Sequence, residues 1–337
     1  MTKTKRSWPA QMLLFVVLLV CIVLAACVGK YPVSPGDSLK IMLGALLRKT
    51  GSANEMTVNV VLGLRVPRIL ASVIVGGALS MSGAAYQGIF KNPLVSPDFL
   101  GVSSGACIGA AVAILLSLSA TYISVFAFVF GIVAVLITVA IPAMMGNRTN
   151  VMLVLSGIIV GTAMSSILGF IKYIADPNTQ LASITYWTMG SFAYITLADL
   201  FAVLPIIAIP GVILILMAWW IDVLSMGEDE ARTLGARVGL IRGITIICAT
   251  LLTAGSVCIA GTISWVGLIV PHFGRMAVGP SNRKLLPMCA LLGGLFMLAV
   301  DTLTRTIGTT EMPVSILTGV LGAPIFCWLL FRQRREL

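Results

Sequence analysis

The chain returns ten times to long apolar runs, at residues 10–28, 66–88, 98–117, 121–142, 150–174, 198–221, 240–262, 264–278, 285–307 and 312–331. A helix needs about 20 consecutive apolar residues to cross the hydrocarbon core of a bilayer. Most of the runs have that length, and short polar loops separate them. Only 10% of the 337 residues are charged and 58% are hydrophobic, whereas soluble domains carry about 25% charged residues. Such a chain cannot cover itself with polar surface, so lipid is its solvent. The expected fold is all-α and polytopic, with about ten transmembrane helices in one transmembrane domain over residues 1–337. Ten crossings put both termini on one side.

The formal charge of +10 would suggest a nucleic-acid partner in a soluble protein. Here the basic residues sit in short loops, and membrane topology accounts for them better. With the N-terminus inside, Lys3, Lys5, Arg6, Lys91, Arg148, Arg232, Arg237, Arg242, Arg275, Arg283, Lys284, Arg332, Arg334 and Arg335 are cytoplasmic. The outer set is smaller: Lys30, Lys40, Arg48, Lys49, Arg65, Arg68, Lys172 and Arg305. All but the last two of these belong to the segment 30–68. That segment breaks the positive-inside bias and needs another explanation. Cys21, Cys27, Cys107, Cys248, Cys258, Cys289 and Cys327 fall in or beside apolar runs without a C-x-x-C pair, which argues against metal or disulfide roles. Leu24-Ala-Ala-Cys27 resembles a lipoprotein cleavage box. The later returns to the membrane favour a first spanning helix instead.

Small residues recur every four positions in three runs: Gly76, Ser80, Ala84 and Gly88; Gly101, Gly105, Gly109 and Ala113; Gly157, Gly161, Ser165 and Gly169. Such stripes let helix backbones approach closely in lipid, and the last is also a candidate lining of a pathway. Gly77-Ala-Leu-Ser-Met-Ser-Gly83 is similar to Gly255-Ser-Val-Cys-Ile-Ala-Gly261, on runs of opposite direction. That fits an inverted repeat relating spans 2–5 to spans 7–10.

The loop between the sixth and seventh runs reads as a short cytoplasmic helix over 226–234. Ser225-Met-Gly-Glu228 has the spacing of a capping box. Glu228, Asp229 and Glu230 suit the positive end of a helix dipole, and Gly235 suits a left-handed C-cap. This is either a plain loop helix or a lever for a cytoplasmic partner. No G-x-x-x-x-G-K-[ST] phosphate loop occurs, so any nucleotide site is on another subunit. Asp301 is the one carboxylate clearly inside a run, four residues from Arg305 and able to pair with it. Ser96-Pro97 suits the cap and first position of a helix. The lone His272 makes no metal site.

Taken in order, these pieces resemble the permeases of vitamin B12, iron-siderophore and haem ABC importers. The resemblance runs from about residue 10 to 331. It rests on Arg65-Val-Pro-Arg68, Gly76-Gly-Ala-Leu-Ser80 with Ser82-Gly83 and Gln87, Asn92-Pro-Leu94 with Pro97, and Gly101-Val-Ser-Ser-Gly-Ala106. It continues through Glu230-Ala231 with Leu234-Gly235, Ala260 to His272 with Arg275, Asp301, Arg305, Glu311-Met-Pro-Val314 and Gly322-Ala-Pro324. Ser315 stands where the family commonly has Gly.

The resemblance implies a homodimeric permease in the inner membrane, with two cytoplasmic ATP-binding subunits gripping the helix at Ser225, Glu228, Glu230, Ala231, Leu234 and Gly235. ATP and Mg would sit on those subunits, with no cofactor or metal on this chain. It also implies an extracytoplasmic substrate-binding protein docking on Arg65, Arg68 and Arg305, which would explain part of the basic outer segment. The cargo would be a metal chelate (iron-siderophore, haem or corrinoid) or an oxyanion such as molybdate. The alternative is an ion-gradient-driven secondary transporter, which the scarcity of intramembrane carboxylates disfavours.

Overall fold

The computed structural model describes residues 7–29, 31, 33–46, 54–146, 149–307 and 311–333. Lys3, Lys5, Arg6, Lys30, Arg48, Lys49, Arg148, Arg334 and Arg335 of the charge pattern lie outside them. Among the described residues the structure is entirely helical. The order is α1 (Ser7–Cys27), α2 (Pro35–Leu46), α3 (Glu55–Val58), α4 (Val66–Phe90), α5 (Val102–Leu115), α6 (Ala120–Met144), α7 (Asn150–Ile174) and α8 (Gln180–Thr188). There follow α9 (Leu197–Leu216), α10 (Ala218–Met226), α11 (Glu228–Thr233), α12 (Val238–Ala260), α13 (Val266–Val278), α14 (Asn282–Thr306) and α15 (Val314–Gln333). Wider π-type turns over Asn59–Arg65 join α3 to α4.

Among the described residues, seven helical segments are long and apolar enough to cross a membrane, and three shorter apolar helices match the third, eighth and tenth runs. Each expected run thus falls on a helix, with local corrections. The second run is the apolar part of a continuous helical segment, Glu55–Phe90. The third begins in a tight turn over Pro97–Leu100, with no side-chain cap from Ser96. The sixth breaks at Met217. The short helices α2 and α8 lie in stretches read as loops.

Close helix approach organises the bundle, and glycine permits it. Gly76 on α4 faces Gly293 on α14, and a Cβ at either would meet the other's carbonyl oxygen at 2.2 Å. A Cβ at Gly109 would meet the carbonyl of Phe126 at 2.2 Å, which seats α5 on α6. The central helix α4 packs against α14 on one side and α12 on another. In α12, 72% of the most apolar window is buried, against 17% in α1 and 22% in α7. Phe201, Leu136 and Leu216 are exposed on the outside of this arrangement.

The small-residue stripe of α7 divides. A Cβ on Gly157 would come within 1.9 Å of the Phe99 carbonyl, so this end packs tightly. Gly161 has only the Ser104 hydroxyl at 4.0 Å, Ser165 is exposed, and nothing lies within 4 Å of a Cβ on Gly169. Half of the stripe packs within the chain, and half lies on an open face.

One end of the bundle is tied by backbone hydrogen bonds between non-helical segments. Ser191 N–H donates to the Ala260 carbonyl (2.9 Å), and Val314 and Ser315 N–H donate to the Gly190 and Met189 carbonyls (2.9 and 3.1 Å). Thr262 Oγ1 donates to the Thr188 carbonyl at 2.6 Å. Gly190 and Gly261 have φ of +72° and +70°, and a Cβ on Gly261 would lie 2.8 Å from the Gly190 Cα. Irregular backbone at membrane depth is tolerated where protein satisfies its polar groups, and this junction does so for α8, α12 and α15 together. Trp265 adopts φ +74° at the start of α13 and is held there against Gly322 and Phe326.

Candidate functional site

Charged chemistry gathers at both ends of the bundle. At the end where α1 finishes, Asp301 is fully buried between two arginines. Arg68 Nε donates to Asp301 Oδ1 at 2.7 Å, while Arg68 Nη1 donates to Glu311 Oε2 at 2.8 Å. Arg305 Nε lies 3.2 Å from Asp301 Oδ2. It is out of line for a hydrogen bond, so that contact is Coulombic. The other nitrogens of Arg305 reach the carbonyls of Val28 and Ala25, both at 3.3 Å. Arg65 donates to the carbonyls of Ala26 (2.6 Å), Cys27 (3.3 Å) and Tyr31. α1 ends with unpaired carbonyls and a negative dipole end in an apolar setting, and two cations satisfy both needs.

The three arginines expected to dock a binding protein are turned inward in the single chain. Arg65, Arg68 and Arg305 are 6%, 6% and 8% exposed, and their donors are committed to internal partners. Asp301–Arg305 pairing holds as expected, but the aspartate is shared with Arg68. That sharing ties α4, α14 and the lead-in to α15 together.

At the other end, α10, α11 and α12 form a compact elbow. The capping box expected of Ser225 and Glu228 is absent. Ser225 is still in α10 and donates back to the Asp222 carbonyl at 2.7 Å. Gly227 breaks the chain before α11 begins at Glu228, so the helix is Glu228–Thr233 rather than 226–234. Glu228 pairs instead with Arg242 on α12 and approaches Arg232 at 3.7 Å. A capping box does occur at Thr196 and Asp199, where α9 starts.

The carboxyl end of α11 matches its expected geometry. Gly235 has φ +79°. Its N–H donates to the Arg232 carbonyl (3.0 Å), and that of Ala236 donates to Ala231 (2.9 Å). This is a Schellman closure. Ala231 is fully buried against the bundle, while Asp229, Glu230 and Leu234 are exposed. A short helix with one seated face and one presented face can transmit a push as a rigid body.

Asp222 has a role that the sequence reading missed. Its Oδ1 accepts from Asn282 N–H (2.6 Å) and Nδ2 (2.8 Å), and its Oδ2 accepts from Ser281 Oγ (2.7 Å). It thereby caps α14 and fixes α10, the mount of α11, to the core. An acid at the end of an apolar run, opposite Ser-Asn at the start of another, is the signal that could have found it. No group of three or more metal-ligating side chains occurs among the described residues.

A profile of the FecCD transport family matches residues 17–332. The chain belongs to the FecCD transport family. Among its relatives is the molybdate import system permease protein MolB of Haemophilus influenzae, 35% identical, with 96% of this chain and 95% of that one covered. The cobalamin import system permease protein BtuC of Halobacterium salinarum is 38% identical over 81% of this chain and 74% of its own. The hemin transport system permease protein HmuU of Yersinia pestis is 35% identical over 85% of this chain and 87% of its own. A solved structure described as an inward-facing conformation of a metal-chelate type ABC transporter superposes with a TM-score of 0.86 at 33% identity. The superposition covers 96% of this chain and 99% of that one. The FecCD chain described here is thus a multi-pass membrane permease of the ABC-importer class.

Proposed function

We propose that the chain is the membrane subunit of a binding-protein-dependent importer that moves a metal chelate (an iron-siderophore, haem or corrinoid) inward across the inner membrane. An oxyanion such as molybdate is the other cargo class among its relatives. Two copies would form the pathway, each seating one cytoplasmic ATPase subunit on α11, with both termini cytoplasmic. ATP and Mg would be bound by those subunits and by nothing on this chain. The supporting observation is the elbow itself: α11 is anchored through Ala231, Glu228 and Asp222 and presents Asp229, Glu230 and Leu234 outward. Asp301, committed to two arginines, is poorly suited to carry protons for a gradient-driven cycle.

Reconstituted with its ATPase partner in liposomes, the permease should accumulate cargo only when ATP is supplied. Uptake by the permease alone on a proton or sodium gradient would overturn this reading. The cargo itself is identified by the ligand that the cognate binding protein retains on purification.

Replacing Gly235 with Val places a branched side chain in the left-handed region, at a cost of about 1–2 kcal/mol. Because a Cβ there meets nothing within 4 Å, the effect is on the backbone closure of α11 and not on packing. The Gly235→Val permease should insert and dimerise normally but recover less ATPase subunit on affinity purification. Full recovery and full transport-coupled hydrolysis would show that α11 is not the seat.

A further inference from the structure

A cleft of about 620 Å³ opens beneath α8, within the range of about 300–1,000 Å³ typical of ligand sites. Its walls include Ser124 on α6, Ser183 and Tyr186 on α8, and Tyr194 and Asp199 at the start of α9; Ile259 on α12 lies in its floor. α12 packs against both α6 and α9, so the cleft sits in the groove those two helices leave over it. Farther along, their outward faces carry exposed Val125, Val129, Phe201 and Leu204. In a membrane-embedded bundle those faces meet acyl chains, and the cleft continues that surface inward.

Two observations narrow the occupant. Tyr186 and Tyr194 line the cleft and are exposed, and tyrosine gathers at the depth of lipid headgroups. The lining contains no Lys, Arg or His, and Asp199 is its one carboxylate. Asp199 Oδ2 accepts from both Thr196 N–H (3.0 Å) and Thr196 Oγ1 (2.7 Å), which holds the charge at the mouth. An anionic headgroup would meet a like charge there with no cation to offset it. A zwitterionic headgroup would set its ammonium by Asp199 and its phosphate by the hydroxyls of Ser124 and Ser191, which also lines the cleft.

The geometry points to a structural lipid site: the cleft takes one phospholipid with an ammonium headgroup, its acyl chain lying between α6 and α9 over Ile259. The occupant then fills the space behind α8, the helix tied through Gly190 to α12 and α15. The test uses the purified full chain and native mass spectrometry, with phosphatidylethanolamine and phosphatidylglycerol added separately. A charge-assisted contact predicts retention of one phosphatidylethanolamine at about tenfold lower concentration than phosphatidylglycerol. Asp199→Asn can keep the α9 cap while removing the charge, and should level the two lipids.

Ser124→Trp fills the cleft and should abolish the preferred adduct. In case that variant folds poorly, a phosphatidylethanolamine with a photoreactive acyl chain is applied to the wild type, and labelled peptides should come from α6, α9 and α12. Equal retention of both lipids by the wild type would overturn the proposal. So would labelling confined to other helices, or loss of the label on adding cargo chelate, which would assign the cleft to transport. ATP-driven uptake is measured separately, so failure of the lipid site and failure of the importer reading are distinguishable.

Discussion

Asp301→Ala should lower the stability of the permease by about 3–5 kcal/mol, because it strands two buried guanidinium groups. Arg68 would keep its bonds to Glu311 and to the Thr304 hydroxyl, and Arg305 would keep carbonyl and hydroxyl partners but no carboxylate. The burial of all three residues makes water a poor substitute. Removing the charges together is expected to be far milder: Asp301→Leu with Arg68→Met and Arg305→Met should recover much of the loss, since apolar replacement of a buried ion cluster is often neutral. Resistance to unfolding in mixed detergent is the measurement. A triple variant as unstable as the single one would mean that the arginines' bonds to the α1 carbonyls outweigh the ion pairs. In either event, charge reversal at Arg65 or Arg68 reports on folding before it reports on docking.

Gly83→Ala should be the most damaging single-methyl change in the bundle. The added Cβ would fall 1.8 Å from the Gly267 carbonyl oxygen. Neither atom belongs to a flexible side chain, so α4 and α13 must separate. Overpacking a close-packed interior costs typically 1–3 kcal/mol, and a backbone-to-backbone clash belongs at about 3 kcal/mol, the top of that range. Gly169→Ala is the matched control, with open space around its Cβ. Thermal unfolding followed by size-exclusion chromatography should show a large drop for the first and almost none for the second. Equal midpoints would mean that α4 and α13 do not touch as described.

The crossings were legible because hydropathy is a property of the local sequence, and a run such as 121–142 appears as α6 with shifts of only a few residues. Gly235 was legible for the same reason, since a left-handed closure is a local backbone demand. Ser225 and Glu228 misled because the capping-box spacing ignores competitors. Gly227 ended α10 later than expected, and Arg242 drew Glu228 away. The arginines show the deeper limit. The sequence marked Arg65, Arg68 and Arg305 as important and placed them near an outer surface, but whether a cation faces solvent or a helix end depends on where α1 stops. That contact spans 277 residues of sequence in the case of Arg305 and Val28, beyond the reach of local spacing. α8 went unread because its nine residues carry no run long enough to stand out.

The shortness of α13 constrains how the chain can be made. At about 1.5 Å per residue, its 13 residues reach only about two-thirds of the way through a hydrocarbon core of about 30 Å. Released alone from the insertion machinery, it would expose the irregular backbone of 261–265 to lipid. Its main contacts are with α4, made long before it, and α14, made just after it, with fewer to α15. A helix this short is expected to enter the bilayer paired with α14, as a hairpin against α4.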